Sequence, residues 1–546
     1  MTTTDATGVG QGSEEVQGRL GSVLAVNTPA STTDHVVIAL PSYSLGESLL
    51  SHYADRIPAL EHRYLLALFA TSVIPSCEMV FVSSQAPDAE ILEHYADLLP
   101  SHRRAAARRR WRVVTVPDAS ARSVAAKLLD RPDLLERLRD LIGDRPALIE
   151  PWNVTEDEVE VSRRLGAPIN GTSPRLRHLG SKSEGRRLLA RAGVPTPAGC
   201  EDVRTVDDVV GAVESIARRR PGLSGVVVKL DDSGAGAGNA VVPLPDGAGR
   251  EEVRARVGAL SPSYLVDLRA GGIVEELVTA PVIASPSAQI DLAPSGDVRV
   301  LATHDQVLGG AGGQVYTGCR FPADPAYAPE IAAHALAVGR ELAARGCVGR
   351  AGVDFMAARD ASGRWEIHAL EINLRKGGTT HPYTALRNLV PGRYDTERGA
   401  WVAHDGTTRA YVCTDNLVDE AWLGLPPATV IDAVRRAGVG FDPRSGAGVV
   451  LHMLSCLAID GRFGLTAIGG SPEHAAEHHR RAVAAVEAAA RSIVPTVPTV
   501  PTVPTVPTVP TVPTVPTVPI VRSPAEGADE VGPRVGARPV AGTPGR

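Results

Sequence analysis

The sequence predicts a multidomain protein of mixed α/β and α+β class, with three folded units between a polar leader and a proline-repeat tail. Three observations carry this expectation. The chain has 546 residues, too many for a single core at about 100–200 residues per domain. Strand-like and helix-like hydrophobic periods alternate from His35 onward and then give way to a run dominated by strands. The composition, 43% hydrophobic and 22% charged, is that of a globular protein able to bury a substantial core.

Residues 1–33 are polar and rich in Gly, Thr and Ser, without a period that buries a face, and are expected to form a disordered leader. HVVIALP, beginning at His35, reads as a buried strand. A helical pattern and the strand CEMVFVSS follow, and then WRVVTVP, a helix over 121–141 and PALIEPW. This alternation predicts a small parallel α/β domain at 34–170. The loop at 41–47 opens a helix whose N–H groups could hold an anion, although a plain strand-to-helix turn is the favoured reading. From 171 to 395 the pattern predicts an α+β domain. It has helices at 181–194 and 206–219, the strand GVVVKL, a glycine-rich hairpin, and then GGIVEELV, PSAQIDL, DVRVLAT, GVDFM and HALEINL, with a helix inserted at 328–345. Residues 405–490 form a third α+β unit with strands at AYVCTDNL, GVVLHMLSCLAI and FGLTAIGG and a terminal helix. Proline at every third position in the Thr-Val-Pro repeat, within the tail 494–546, removes regular backbone donors and predicts an extended or disordered spacer.

Composition excludes several function classes. A formal charge of -6 is small for this length and gives no field that steers the chain to nucleic acid or a membrane surface. The start of the chain is neither basic nor apolar, and the longest apolar runs fall far short of a membrane span, so a cytoplasmic protein is expected. Six scattered cysteines with no C-x-x-C pair suit a reducing compartment and argue against zinc or a disulfide framework. Among 56 basic residues only Lys127, Lys182, Lys229 and Lys376 are lysines. Arginine has taken the generic surface roles, so each lysine points to a place where a compact ammonium is wanted.

The glycine stretch Ser233-Gly234-Ala235-Gly236-Ala237-Gly238 fits neither common nucleotide fingerprint. A strand follows it where a dinucleotide fold needs a helix, and no Gly-Lys-Ser/Thr closes it as a P-loop requires. A mobile flap whose N–H groups close over phosphates remains, with Lys229 on the strand leading in. Asp354 lies in GVDFM, while Glu371 and Asn373 sit two apart in LEINL and so share a strand face. Two carboxylates and a carboxamide are hard ligands suited to Mg2+. Arg375, two positions further on, could meet an acyl phosphate or an oxyanion. Glu275 and Glu276 stand among apolar strand residues whose edge backbone could pair with adenine.

Lys182, Lys229 with its flap, the hinge Val274 to Val278, Asp354 and the Glu371-x-Asn373-x-Arg375 run resemble, in order and spacing, the ATP-grasp family over about residues 150–385. PSPSAQI, THDQVLGG, YTGCRFPA, EINLRKGGTTHP and HMLSCLAIDGRFGLTAIG extend the similarity to the peptide ligases typified by that of pheganomycin biosynthesis, over most of residues 35–485. The resemblance implies a Rossmann-like pre-ATP-grasp domain, an ATP-grasp domain and a small C-terminal domain. It assigns ATP to Lys182, Lys229, Ser233, Gly234, Gly236, Glu275, Glu276 and Val278, Mg2+ to Asp354, Glu371 and Asn373, and the acyl-transfer step to Arg375. It also implies an ADP-forming ligase that joins a carboxylate donor to an amine or peptide acceptor through an acyl phosphate, with neither nucleic acid nor membrane as partner and homo-oligomerisation left open. Another acceptor, as in a carboxylase or kinase-like enzyme, and a non-catalytic nucleotide-binding protein are the competing readings. PVIASPS follows the hinge where the wider family has an acidic ribose ligand, so the ribose contacts stay open.

Overall fold

Three sheets order the chain, and each follows from the hydrophobic patterning of its strands. The computed structural model describes residues 6–43, 56–233, 238–245, 247–309 and 315–493. Gly234, Gly236, most of the 41–47 loop and the Thr-Val-Pro tail lie outside the described residues.

The first sheet is wholly parallel, in the order β3-β2-β1-β4, from β1 (His35–Leu40), β2 (Cys77–Ser83), β3 (Trp111–Thr115) and β4 (Ala147–Pro151). All six residues of β1 are buried, the continuous apolar run expected of a parallel strand covered on both faces. The helix expected over 121–141 is two helices, Val124–Leu129 and Pro132–Ile142, because Pro132 can begin a helix but cannot sit inside one.

The second sheet is antiparallel, in the order β5-β8-β6-β7, from β5 (Gly199–Val203), β6 (Gly225–Leu230), β7 (Asn239–Pro243) and β8 (Gly272–Glu276). The helix Val206–Arg219 covers one face with Val209, Val210, Val213 and Ile216, and starts at a Thr205/Asp208 capping box worth about 1 kcal/mol.

The third sheet has eleven strands. It contains β9 (Val282–Ala284), β10 (Pro286–Leu292), β11 (Val298–Gly309), β12 (Val315–Phe321), β13 (Gly349–Arg359), β14 (Trp365–Asn373), β15 (Gly392–Asp395), β16 (Ala400–Ala403), β17 (Thr408–Val418), β18 (Gly448–His452) and β19 (Arg462–Gly469). Helix Ala328–Ala343 packs Ile331, Ala335, Val338 and Leu342 against Ile290, Val353 and Phe355. It lies close because Gly339 has no side chain; a Cβ there would meet Val298 at 2.5 Å.

Three expectations need correction. The segment read as a disordered leader forms helices Ala6–Gly18 and Leu20–Val26. Leu20 and Val23 are buried, Gln17 exchanges two hydrogen bonds with the Ile169 backbone, and Arg19 donates to the Gly166 carbonyl. So few apolar residues give no periodic signal, and tertiary contacts supply the order. The strands of the third unit pair through β17 with β12 and continue the large sheet, so the boundary near residue 400 crosses one sheet rather than separating two. The strand expected over GVVLHMLSCLAI ends at His452, because Met453 takes a positive φ of 56° and turns the chain into short helical pieces.

Candidate active site

The small sheet and the large sheet each contribute one charged face to a shared group of residues. On the large sheet, Asp354 of β13 stands directly opposite Glu371 of β14, and a register shift falls between Asp354 and Phe355. Such a bulge re-aims side chains next to it. Val353, Phe355 and Ile372 point into the core, while Asp354, Glu371 and Asn373 are half-buried on the other side. Asp354 accepts hydrogen bonds from Asn373 Nδ2 at 2.9 Å and from Gln306 Nε2 at 2.9 Å. Burial, with the Glu371 carboxylate adding to it, pushes the Asp354 carboxyl up to about 7. A carboxyl whose proton affinity is raised by burial and a facing carboxylate is relieved by a cation, and two carboxylates with a carboxamide form a hard oxygen donor set, so the residues present fit Mg2+.

Lys182 opens the helix Lys182–Arg191, capped by Ser181, whose hydroxyl accepts from the Glu184 N–H. Its ammonium lies 2.6 Å from Glu371 Oε2 and 3.5 Å from the Ser233 carbonyl, at the base of the glycine-rich hairpin. A lysine and a helix N-terminus together make a site for an anion. Lys229, near the end of β6, is 2.5 Å from Glu275 Oε2, and Arg186 takes the other oxygen of that buried carboxylate. Glu275 therefore holds Lys229 in place. The neighbouring Glu276 accepts from the Ala198 N–H at 2.7 Å and forms an ion pair with Arg220 at 3.2 Å. Both hinge carboxylates are thus engaged inside the small sheet. The neck of the hairpin is fixed by Leu230 N–H donating to the Gly238 carbonyl and by the Tyr264 hydroxyl, which lies 2.8 Å from the Val228 carbonyl and 3.0 Å from that of Gly238.

Arg375 follows β14, and its guanidinium lies 4.8 Å above the Trp152 ring, which stacks on Tyr43 with centroids 4.6 Å apart. Stacking over the ring fixes the guanidinium plane, and Nη1 donates to the Lys376 carbonyl at 3.1 Å, so the other N–H groups are those a ligand can meet. The next residue, Lys376, pairs with Glu150 at 2.7 Å and donates its backbone N–H to the Trp152 carbonyl. Asn170 donates to the second Glu150 oxygen at 2.6 Å. The end of β4 thus anchors the Arg375 loop.

Reasoning from the sequence missed Gln306, Arg186, Glu150 and Trp152. Their roles depend on strand pairing and on contacts across domains. The scarcity of lysine does find Lys376, and Lys127 also proves buried, donating to Ser84 and to the Asp118 carbonyl. None of the four lysines is a generic surface cation.

Residues 181–379 match the ATP-grasp domain family, and residues 429–482 match the PGM1 C-terminal domain. The chain is 33% identical over 464 residues to the L-propargylglycine--L-glutamate ligase of Streptantibioticus cattleyicolor, covering 79% of this chain and 92% of that relative. It is 22% identical over 357 residues to IQ motif-containing protein H of Danio rerio, covering 54% of this chain and 33% of that protein. Among solved structures, the biotin carboxylase–βγ-ATP complex of Campylobacter jejuni aligns with a TM-score of 0.51 at 13% identity, over 81% of this chain and 89% of that one. At that identity the likeness shows the fold alone. Identity sustained along nearly the whole length of a ligase, together with the ATP-grasp domain match, shows that the chain belongs to the ATP-grasp ligase family.

Proposed function

We propose that this ligase phosphorylates the carboxylate of an amino-acid-like donor with ATP and joins it to the amine of a second amino acid or a short peptide, releasing ADP and phosphate. One observation carries the reading: Asp354, Glu371 and Asn373 on one sheet meet Lys182 at its helix start, with Arg375 held on Trp152 beyond the end of the same strand. The relative named as an L-propargylglycine--L-glutamate ligase supports an amino acid on each side of the new bond.

Lys182 and Lys229 would hold the phosphates, and the hairpin from Ser233 through Gly234 and Gly236 would cover them and exclude water. Adenine would lie against the Glu275-Glu276-Val278 hinge, with His368 of β14 within reach of the Glu276 and Glu275 charges. Burial holds the imidazole of His368 below its usual pKa, so it stays neutral there even beside the Glu276 and Glu275 carboxylates. Asp354, Glu371 and Asn373 would hold Mg2+, which when bound shields the triphosphate oxygens from an incoming carboxylate. Positioning and charge stabilisation dominate phosphoryl transfer. The amine would then attack the acyl phosphate while the Arg375 guanidinium donates to the developing oxyanion.

Arg375→Ala is expected to separate the two half-reactions. Amide formation falls by about 10²–10³-fold, the typical cost of one oxyanion donor, whereas nucleotide binding changes little. Product amide and ADP counted in the same reaction check this, and undiminished ligation removes Arg375 from the mechanism. A pH dependence also follows. The Asp354 carboxyl, raised to about 7, is protonated below that pH in the free enzyme, and a protonated carboxyl is a poor magnesium ligand. The KM for magnesium–ATP should therefore rise as the pH falls through about 7, by up to about tenfold per unit, and a flat profile across that range contradicts the ligand role.

No helix among the described residues is long and apolar enough to cross a membrane.

A further inference from the structure

A second cluster of ligating side chains lies apart from the nucleotide residues, buried in the large sheet. His381 is in the first turn of the helix Thr380–Leu389, Cys413 and Asp415 are two apart on β17 and so share a face, and His452 ends β18. All four are buried, and one ligand atom from each lies within 4.8 Å of the others. We propose that these residues form a closed structural site for a zinc-class divalent transition ion.

The distances fit such an ion. His381 Nε2 and His452 Nε2 are 3.0 Å apart, Cys413 Sγ lies 3.6 and 3.8 Å from them, and Asp415 Oδ1 lies 3.0 and 3.2 Å from the same two nitrogens. Zinc bonds of about 2.0–2.1 Å to nitrogen and oxygen and about 2.3 Å to sulfur give a tetrahedron with edges of about 3.3–3.6 Å, in the middle of that range. The alternative, a hydrogen-bonded cluster, leaves groups unsatisfied. Both Asp415 oxygens lack a hydrogen-bond partner among the described residues in spite of their short contacts. The carboxylate is left with ion-pair contacts alone, to Arg63 and the two imidazoles, and a gathered set of lone pairs is what a cation needs. Two imidazoles, a thiolate and a carboxylate make a borderline donor set that suits zinc and excludes Mg2+ or Ca2+. The thiolate and carboxylate neutralise a dication, and Arg63 Nη1, 3.3 Å from Asp415 Oδ2, steadies the outer oxygen as an outer-shell partner.

Local backbone features serve His452 in particular. Met453, directly after it, holds a positive φ of 56°, unusual for a residue with a side chain. Gly464 on the paired strand leaves room for the ring; a Cβ there would meet the imidazole at 2.5 Å. Cys319, opposite Cys413 on β12, is a neighbouring thiol outside the set of four. The ion would tie the helix that follows the Arg375 loop to the C-terminal strands, and its binding would release the Cys413 proton.

The test uses the full chain, produced without a polyhistidine tag and dialysed against metal-free buffer. Elemental analysis is expected to find about one zinc per folded chain, the stoichiometry of a closed four-ligand site. After chelation, which should lower Tm, cobalt(II) added back should give tetrahedral d–d bands and a thiolate-to-metal charge-transfer band. That band should vanish in Cys413→Ser and persist in Cys319→Ser. A folded wild-type chain with no stoichiometric transition metal and no charge-transfer band with cobalt overturns the proposal, as does a band that survives Cys413→Ser.

Discussion

Glu371→Gln is expected to lower ADP formation by about 10²–10³-fold, the usual cost of removing one group that stabilises transition-state charge, while the chain remains folded. Glu371 stands opposite Asp354 and pairs with Lys182 at 2.6 Å, so its charge organises both the acidic face and the lysine beside it. The amide keeps the volume and one acceptor, but it cannot act as an anionic ligand. Lys182 loses its partner and still has the Ser233 carbonyl within 3.5 Å. Asp354 loses the like charge that helps raise its pKa, which partly compensates the fold. The stability cost is therefore about 1–3 kcal/mol, that of one charged hydrogen bond. Near-wild-type ADP release in this variant would remove Glu371 from the nucleotide site.

Lys229→Ala should act through the nucleotide more than through the fold. Its ammonium shares the Glu275 carboxylate with Arg186, so deleting the lysine leaves that buried carboxylate paired and the small sheet intact. Loss of ATP-dependent turnover by about 10²–10³-fold with nearly unchanged Tm is the expected pattern. Glu275→Gln is the informative contrast. It takes the anion from Lys229, while Arg186 keeps Glu201 and the Pro197 carbonyl, and breaking a buried pair typically costs about 3–5 kcal/mol, so its Tm should fall clearly. Equal losses of Tm in the two variants would mean that Lys229 is only a structural counter-ion.

Much of the candidate site is legible in the sequence because strand chemistry is local. Period two alone puts Glu371 and Asn373 on one face, and the apolar neighbours Phe355 and Ile372 mark the opposite face as core. The apolar run Val36 to Leu40 of β1 and the alternating strands likewise announce their sheets. Features that depend on distant pairing are hidden. Trp152 beneath Arg375 and Glu150 beside Lys376 are separated from their partners by more than 200 residues. The bulge at Asp354 leaves no composition signal. Cysteine spacing argues against zinc, yet the fold gathers His381, Cys413, Asp415 and His452 from three elements, a pattern no spacing rule can read. The continuation of the large sheet through β17 is hidden for the same reason: turn residues near 400 look like a domain boundary, whereas register with β12 makes them a connection within one sheet.

The central claim is amide formation through an acyl phosphate, and the most direct test is to identify the nucleotide product. The chain would be incubated with magnesium–ATP, a panel of amino acids as donors, and amino acids or short peptides as acceptors, with nucleotides separated by chromatography and condensed products identified by mass spectrometry. ADP released in step with a new amide is the predicted result. AMP and pyrophosphate in step with that amide would contradict it.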